Sequence, residues 1–314
     1  MYQQIARNKR RAIEYIVVFF GIWVGVGALV GLIAGSVSPA APGAPSAEGS
    51  DIATGMVIAG LFALLGIVFS LRSGARLVLS VSGAKPADPV QYRQLHDVVE
   101  ALAIGDGLPK PDVYVINDVS PNAFATGTSP QHASITVTTG LMQIMNREEL
   151  EGVIGHEMSH IKNYDVRLLL IVSTMIGMAG LLASLVWRSA FFMRTRGRNG
   201  AQIMLVVFAA GALLGLVALL FGPLVRLALS RQRESLADVS SVELTRNPTG
   251  LIQALGKLQQ NDKPFVKFNH ATASMCIDDP LQHHETWFHH LFDTHPPIAD
   301  RIAVLERIAQ GQSV

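Results

Sequence analysis

The chain has 314 residues, 49% of them hydrophobic and 16% charged, with a mean hydropathy of +0.34. Soluble domains carry about 25% charged residues, so this deficit points to a membrane protein rather than a large soluble core. A formal net charge of +1 gives no footprint for bulk nucleic-acid binding, and the lone Cys276 excludes an internal disulfide framework and a Cys-rich zinc finger.

In chain order, the N-terminal arm carries Arg7, Lys9, Arg10 and Arg11 ahead of an apolar stretch at 16–34. That stretch exceeds the 7–15 apolar residues of a signal peptide, and a second follows at 52–71, so an uncleaved anchor is expected. Two further stretches, 168–187 and 201–225, are also long enough to cross a bilayer, which takes about 20 apolar residues. The loop between the first two spans has no Lys or Arg, whereas Arg72, Arg76 and Lys85 follow the second. The positive-inside rule therefore places both ends of this hairpin, and the domain after it, in the cytoplasm. Arg188, Arg194, Arg196 and Arg198 lie between spans three and four, against simple topology, and leave open whether that hairpin crosses completely.

Between the hairpins, Tyr92, Leu95, Val99 and Leu102 fall at helical spacing over 89–103, and Gly105, Gly107 and Pro109 stop that helix. Short strands are expected at 113–117 and 133–139, with 121–127 extended between them. Asn146 followed by Glu149 is an N-cap signature. The helix it opens places Leu150, Ile154 and Met158 on a core face, largely opposite His156 and His160. After the fourth span, 230–239 reads as an amphipathic helix, Asn247-Pro248 caps another, and a last helix covers 298–309.

Residues 156–160 are His-Glu-Met-Ser-His. On a helix, His156 and His160 lie one turn apart on one face, so both imidazoles reach a single ion. Glu157 stands where a carboxylate can take a proton from a water at that ion. Lys162, Asn163, Tyr164 and Asp165 then break the helix before the third span, which predicts a wet, polar setting at the membrane surface. A catalytic zinc takes three protein ligands. Glu234 is the best third donor, with Asp238 four residues on, on the same helical face, suited to hold a ligating imidazole. An ion pair of Glu234 with Arg231 is the plainer alternative, and the downstream histidines rival it as ligands. His283, His284, His289 and His290, among Trp287, Phe288 and Phe292, read as an aromatic surface rather than a second metal site.

The stretches 1–11, 121–127, 148–163, 231–238 and 294–301, in this order and interrupted by apolar spans, resemble the HtpX-type membrane zinc proteases, relatives of the CAAX prenyl endopeptidases. The resemblance covers nearly the whole chain. It implies a mainly α membrane protein: transmembrane helices plus a zincin-like (gluzincin) α+β metalloprotease domain with a small β-sheet. It implies that His156, His160 and Glu234 bind one Zn2+ per chain, and that Glu157 is the general base and acid. Asn122, with Ala123 and Phe124, would lie on the strand that receives an extended substrate by edge addition. His295 and Arg301 would stand near the zinc to stabilise the oxyanion or position the site. For Arg301, an ion pair with Asp300 or Glu306 is an equal alternative.

These readings divide the chain into a basic cytoplasmic arm (1–14), a transmembrane hairpin (15–83), a first protease segment (84–167), a second hairpin (168–229) and a second protease segment (230–314). The expected function is a multi-pass endopeptidase of the cell (plasma) membrane. It would cleave polypeptides, above all misfolded or damaged membrane proteins, at the cytoplasmic face. An intramembrane zinc protease and a non-catalytic scaffold or holdase are the alternatives. No residue pattern specifies an oligomer.

Overall fold

Two long apolar runs without proline make the first two helices, α1 (Tyr2–Val37) and α2 (Glu48–Val81). The computed structural model describes residues 2–37, 48–192, 204, 207–208, 211–213, 215, 231–260 and 297–312. Both helices are long and apolar enough to cross a bilayer, with an 18-residue window of mean hydropathy 2.6 within Ala6–Ser36 and 2.5 within Gly49–Val81. The basic arm is therefore the opening of α1 itself, since nothing between Tyr2 and the apolar run breaks a helix. The two helices approach backbone to backbone: a Cβ on Gly27 would lie 2.3 Å from the Gly55 carbonyl oxygen. Helices packing in lipid commonly meet at such small residues.

The chain forms two compact units. One comprises Ala12–Arg72 with Thr174–Gly222. Val17, Val57, Leu61 and Leu65 are exposed in it, an apolar surface of the kind a membrane covers. Within this unit Ser70 and Thr174 are joined by a hydrogen bond between their hydroxyls. The helix that follows the metal-motif helix, α6 (Asp165–Phe192), belongs partly to this unit. Most of the fourth apolar stretch, and most of the Arg-rich loop before it, lie outside the described residues.

The other unit comprises Met1–Arg11, Ser73–Ser173 and Pro223–Val314. Its small sheet has β1 (Lys85–Pro86), β2 (Asp112–Ile116), β3 (Ala123–Ser129) and β4 (His132–Thr138) in the order β1-β2-β4-β3. β2 and β4 run parallel, whereas β3 and β4 form an antiparallel hairpin. The segment expected only to be extended at 121–127 is thus largely a strand, and it takes the sheet edge. Gly127, at φ +151°, sits at the irregularity of that hairpin, a backbone conformation that L side chains resist.

Helices pack on the sheet. α3 (Arg93–Asp106) ends on Gly107 at φ +66°, the left-handed cap that glycine supplies without strain. α4 (Thr139–Ile144) follows the sheet and leads into α5 (Arg147–Lys162), which carries the metal motif. α7 (Arg231–Thr245), α8 (Pro248–Gln259) and α9 (Ile298–Ala309) complete the described elements. One core joins Leu95, Val99, Ile135, Val137, Val153, Ile154, Met158, Leu251, Leu255 and Leu305.

Candidate metal centre

α5 begins on a capping box. The Asn146 side chain accepts from the Glu149 amide at 2.9 Å, and the Glu149 carboxylate accepts from the Asn146 amide at 2.8 Å. Such a cap is worth about 1 kcal/mol and fixes where the first turn starts. Lys257 of α8 reaches the same carboxylate at 2.6 Å, so the cap is also tied to the rest of the core.

From this start the helix is buried on nearly every side: of the five motif residues, none is more than 6% exposed. The wet setting expected for the motif is therefore corrected, although its surroundings are polar. Packing explains the difference. Gly152 and Gly155 leave the flank of α5 bare, and α7 and α8 close onto it. A Cβ on Gly152 would lie 2.8 Å from the Leu251 amide nitrogen, and one on Gly155 would lie 2.7 Å from Ser241 Oγ. Ser241 Oγ also donates to the Gly152 carbonyl at 2.7 Å. This close approach brings Glu234, in the first turn of α7, to the histidines.

His156, His160 and Glu234 offer donor atoms that all lie within 4.8 Å of one another, and all three side chains are buried. The two Nε2 atoms stand 3.2 Å apart. Glu234 is 3.6 Å from each imidazole, Oε2 facing His156 and Oε1 facing His160. Behind the histidines are two carboxylates. Asp238 Oδ1 lies 2.9 Å from His156 Nδ1, and Asp165 Oδ2 lies 3.3 Å from His160 Nδ1. A carboxylate accepts only, so each Nδ1 carries a hydrogen and each Nε2 turns inward, where it can take a cation or a proton. Two lone pairs beside a carboxylate in a buried site repel one another unless a positive species stands among them. The donor set of two imidazoles and a carboxylate matches that of catalytic zinc.

The same arrangement explains the electrostatics of the two histidines. Burial pushes His160 down, but the Asp165 hydrogen bond and the charges of Glu234, Asp165 and Glu157 outweigh it, raising its pKa to about 9. For His156, burial and the Arg301 guanidinium act downward, and Asp238 and Glu234 overcome them, so its pKa is also raised. Burial acts upward on Asp238, but Arg301 and His156 hold it below the usual carboxylate range. A proton can thus fill the place that a cation would take.

Arg301, at 3% exposure, forks onto Asp238 through Nε–Oδ2 at 3.0 Å and Nη2–Oδ1 at 2.7 Å. Asp300 and Glu306, the neighbours expected as its alternative ion-pair partners, are exposed. The fork crosses between helices instead because α9 turns Arg301 inward, where a buried guanidinium requires a carboxylate. Glu157 is 2% exposed beside the cluster. Asn122 immediately precedes β3 and is buried. Its carbonyl accepts from the Thr138 amide, and its side chain accepts from Ala123, both at 2.9 Å. Ala123 and Phe124 are buried on β3 itself. His295, with His283, His284, His289 and His290, lies outside the described residues.

The structure thus gathers His156, Glu157, His160, Glu234, Asp238 and Arg301, with two residues that spacing did not single out. In the sequence Asp165 stands out only as part of a helix break, yet it backs His160. Arg233 faces it at 3.6 Å. The available signal was an acidic residue just beyond the second histidine. Spacing could not use it, because Tyr164 takes a left-handed turn (φ +61°) that redirects the chain.

Residues 89–309 match peptidase family M48. The chain is similar to protease HtpX homologs of Streptococcus mutans and Levilactobacillus brevis, each 40% identical over 98% of this chain and 100% of the relative. A homolog of the same description from Lactobacillus acidophilus is 38% identical, again over 98% and 100%. Among solved structures, S. mikatae Ste24p matches with a TM-score of 0.48 at 18% identity, over 80% of this chain and 57% of that one.

Proposed function

Because the chain belongs to peptidase family M48 and is a metalloprotease of the membrane, we propose that it is a zinc endopeptidase whose site faces the cytoplasm and whose substrates are misfolded or damaged membrane proteins. The protease domain in this reading is assembled from 84–167 and 230–314, with 15–83 and 168–229 as membrane hairpins and 1–14 as a basic cytoplasmic arm.

The observation that carries the reading is the buried convergence of His156, His160 and Glu234, with a carboxylate behind each imidazole. These three residues would hold the zinc. When bound, it would supply Lewis acidity to the scissile carbonyl and to the attacking water. Glu157 is the general base: it takes the proton of that water and returns it to the leaving amine. Asp238 and Asp165 fix the tautomer and direction of the two imidazoles. Arg301 holds Asp238 in its charged form through a two-pronged pair, so its part is to position the site rather than to touch substrate. β3 supports the substrate side. It is the edge strand of the described sheet and packs beside α5, and an extended peptide adds at such an edge.

Orientation rests on the basic residues that flank the first two spans, and their absence between them. The substrate class rests on the likeness to the HtpX homologs and on anchoring in the membrane. An intramembrane protease would need its motif helix to be a span, whereas α5 ends at Lys162 before the apolar helix begins.

The test is Glu157→Gln in the purified full chain, assayed on casein and on an unfolded membrane protein. Loss of general-base catalysis should lower cleavage by about 10²–10⁴-fold while zinc content stays near one per chain. Cleavage at the wild-type rate would remove Glu157 from this role. A scaffold would show no dependence on either Glu157 or zinc.

A further inference from the structure

The N-terminal arm ends inside the protease unit. Asn8 is only 1% exposed, although Arg7 and Lys9 on either side of it are exposed. Its amide nitrogen donates to two acceptors, the Asn163 carbonyl and Asp165 Oδ1, both at 2.8 Å. Those acceptors flank Tyr164, the left-handed residue that ends α5 and starts α6. Lys9 Nζ lies 4.3 Å above the Tyr164 ring, within cation–π range. One short side chain, more than 150 positions away in sequence, therefore spans both sides of the turn. The same turn determines where Asp165 stands.

Asp165 has two oxygens with separate partners. Oδ1 takes the Asn8 amide and faces Arg233 Nε at 3.6 Å, and Oδ2 faces His160 Nδ1 at 3.3 Å. A carboxylate held on one oxygen presents the other in a fixed direction, and carboxylates behind metal-binding imidazoles tune metal affinity. We propose that Asn8 is a positioning residue of the metal centre, through which the membrane-proximal arm holds Asp165 against His160 and so sets the affinity of the site for its metal.

This inference rests on the reading of His156, His160 and Glu234 as metal ligands, and the experiment separates the two. Full-length protein in detergent is titrated with zinc against a competing chelator, as wild type and as Asn8→Ala. Wild-type binding of one zinc per chain tests the ligand reading. The difference between the two proteins tests the role of Asn8.

Removing a hydrogen-bonded partner behind a metal ligand typically costs 10–100-fold in affinity. For Asn8, one bond further out, a loss of about tenfold is expected. Cleavage at saturating zinc should recover most of the wild-type rate, since the ligands themselves are intact. Val99→Ala, a core residue on α3 that is not among the metal cluster or the residues behind it, controls for general loosening: it should lower the melting temperature without moving zinc affinity. Asn8→Ser, whose shorter donor cannot reach both acceptors, serves if the alanine protein is not recovered. A zinc affinity within twofold of wild type in the Asn8 variant that folds would overturn the proposal, whatever its melting temperature.

Discussion

Nε2 of His156 and Nε2 of His160 face each other across 3.2 Å, with the Glu234 carboxylate 3.6 Å from both rings. No apolar packing brings two lone pairs and a carboxylate together at no cost, so the arrangement stores a requirement for positive charge. Glu234→Ala removes one of the three donors. It should lower zinc retention on dialysis against chelator from near one per chain to a small fraction. Full retention would return the third position to the downstream histidines.

The two carboxylates behind the imidazoles are not equivalent: Asp238 takes a two-pronged pair from the buried Arg301, whereas Asp165 faces the buried Arg233 through one longer contact at 3.6 Å. Asp165→Asn and Asp238→Asn should each weaken zinc binding by about 10–100-fold. Asp238→Asn should in addition cost about 3–5 kcal/mol of stability, since it takes the charged partner from a buried guanidinium. Chelator competition and chemical denaturation of the same samples read the two effects apart. Equal stability losses in both variants would mean that the two-pronged Arg301 pair contributes no more than the longer Arg233 contact to Asp165.

Close approach at two glycines sets the distance between α5 and its neighbours. Gly152→Ala would drive a methyl group into the Leu251 backbone, and overpacking of this kind costs about 1–3 kcal/mol. Gly155→Ala meets the Ser241 hydroxyl, which can turn away only by giving up its bond to the Gly152 carbonyl, so its cost should be that of one hydrogen bond, roughly 0.5–1.5 kcal/mol. Gly152→Ala should also weaken zinc binding by shifting α8 and, with it, α7. A wild-type melting temperature for Gly152→Ala would contradict the packing account.

The metal-free protein should lose stability with rising pH. The pKa of His160 in the folded chain, about 9, exceeds its ordinary value of 6.5, so the folded state binds the proton more tightly than the unfolded chain does. Its contribution is fully present below pH 6.5 and disappears as pH rises through about 9. The melting temperature of metal-free protein should fall across that window, and bound zinc, which replaces the proton, should remove the trend. A midpoint independent of pH from 6.5 to 9 would show that the buried cluster takes up no extra proton.

Local signals in the sequence were sufficient wherever their cause is local. Asn146 and Glu149 announce the start of α5 because a capping box needs only residues three apart. Gly107 marks the end of α3, and Asn247-Pro248 the start of α8, for similar reasons. His156, Glu157 and His160 are legible because one helical turn brings i and i+4 together. The apolar runs of α1 and α2 declare themselves by length.

What the sequence could not decide depends on where separate segments meet. The burial of the motif follows from α7 and α8 closing on Gly152 and Gly155, residues that resemble any other helix glycines in a sequence. Arg301 could be paired with Asp300 or Glu306 by proximity, but only the packing of α9 aims it at Asp238, more than 60 residues upstream. The same is true of Asp165 and Asn8, joined across a left-handed turn at Tyr164. Sequence alone determined the membrane class and the one-turn spacing of His156 and His160, because composition and helical period encode them directly. The tertiary structure decided which carboxylate stands behind which histidine and what holds it there, because those hydrogen bonds form only when distant helices share one buried, low-dielectric space.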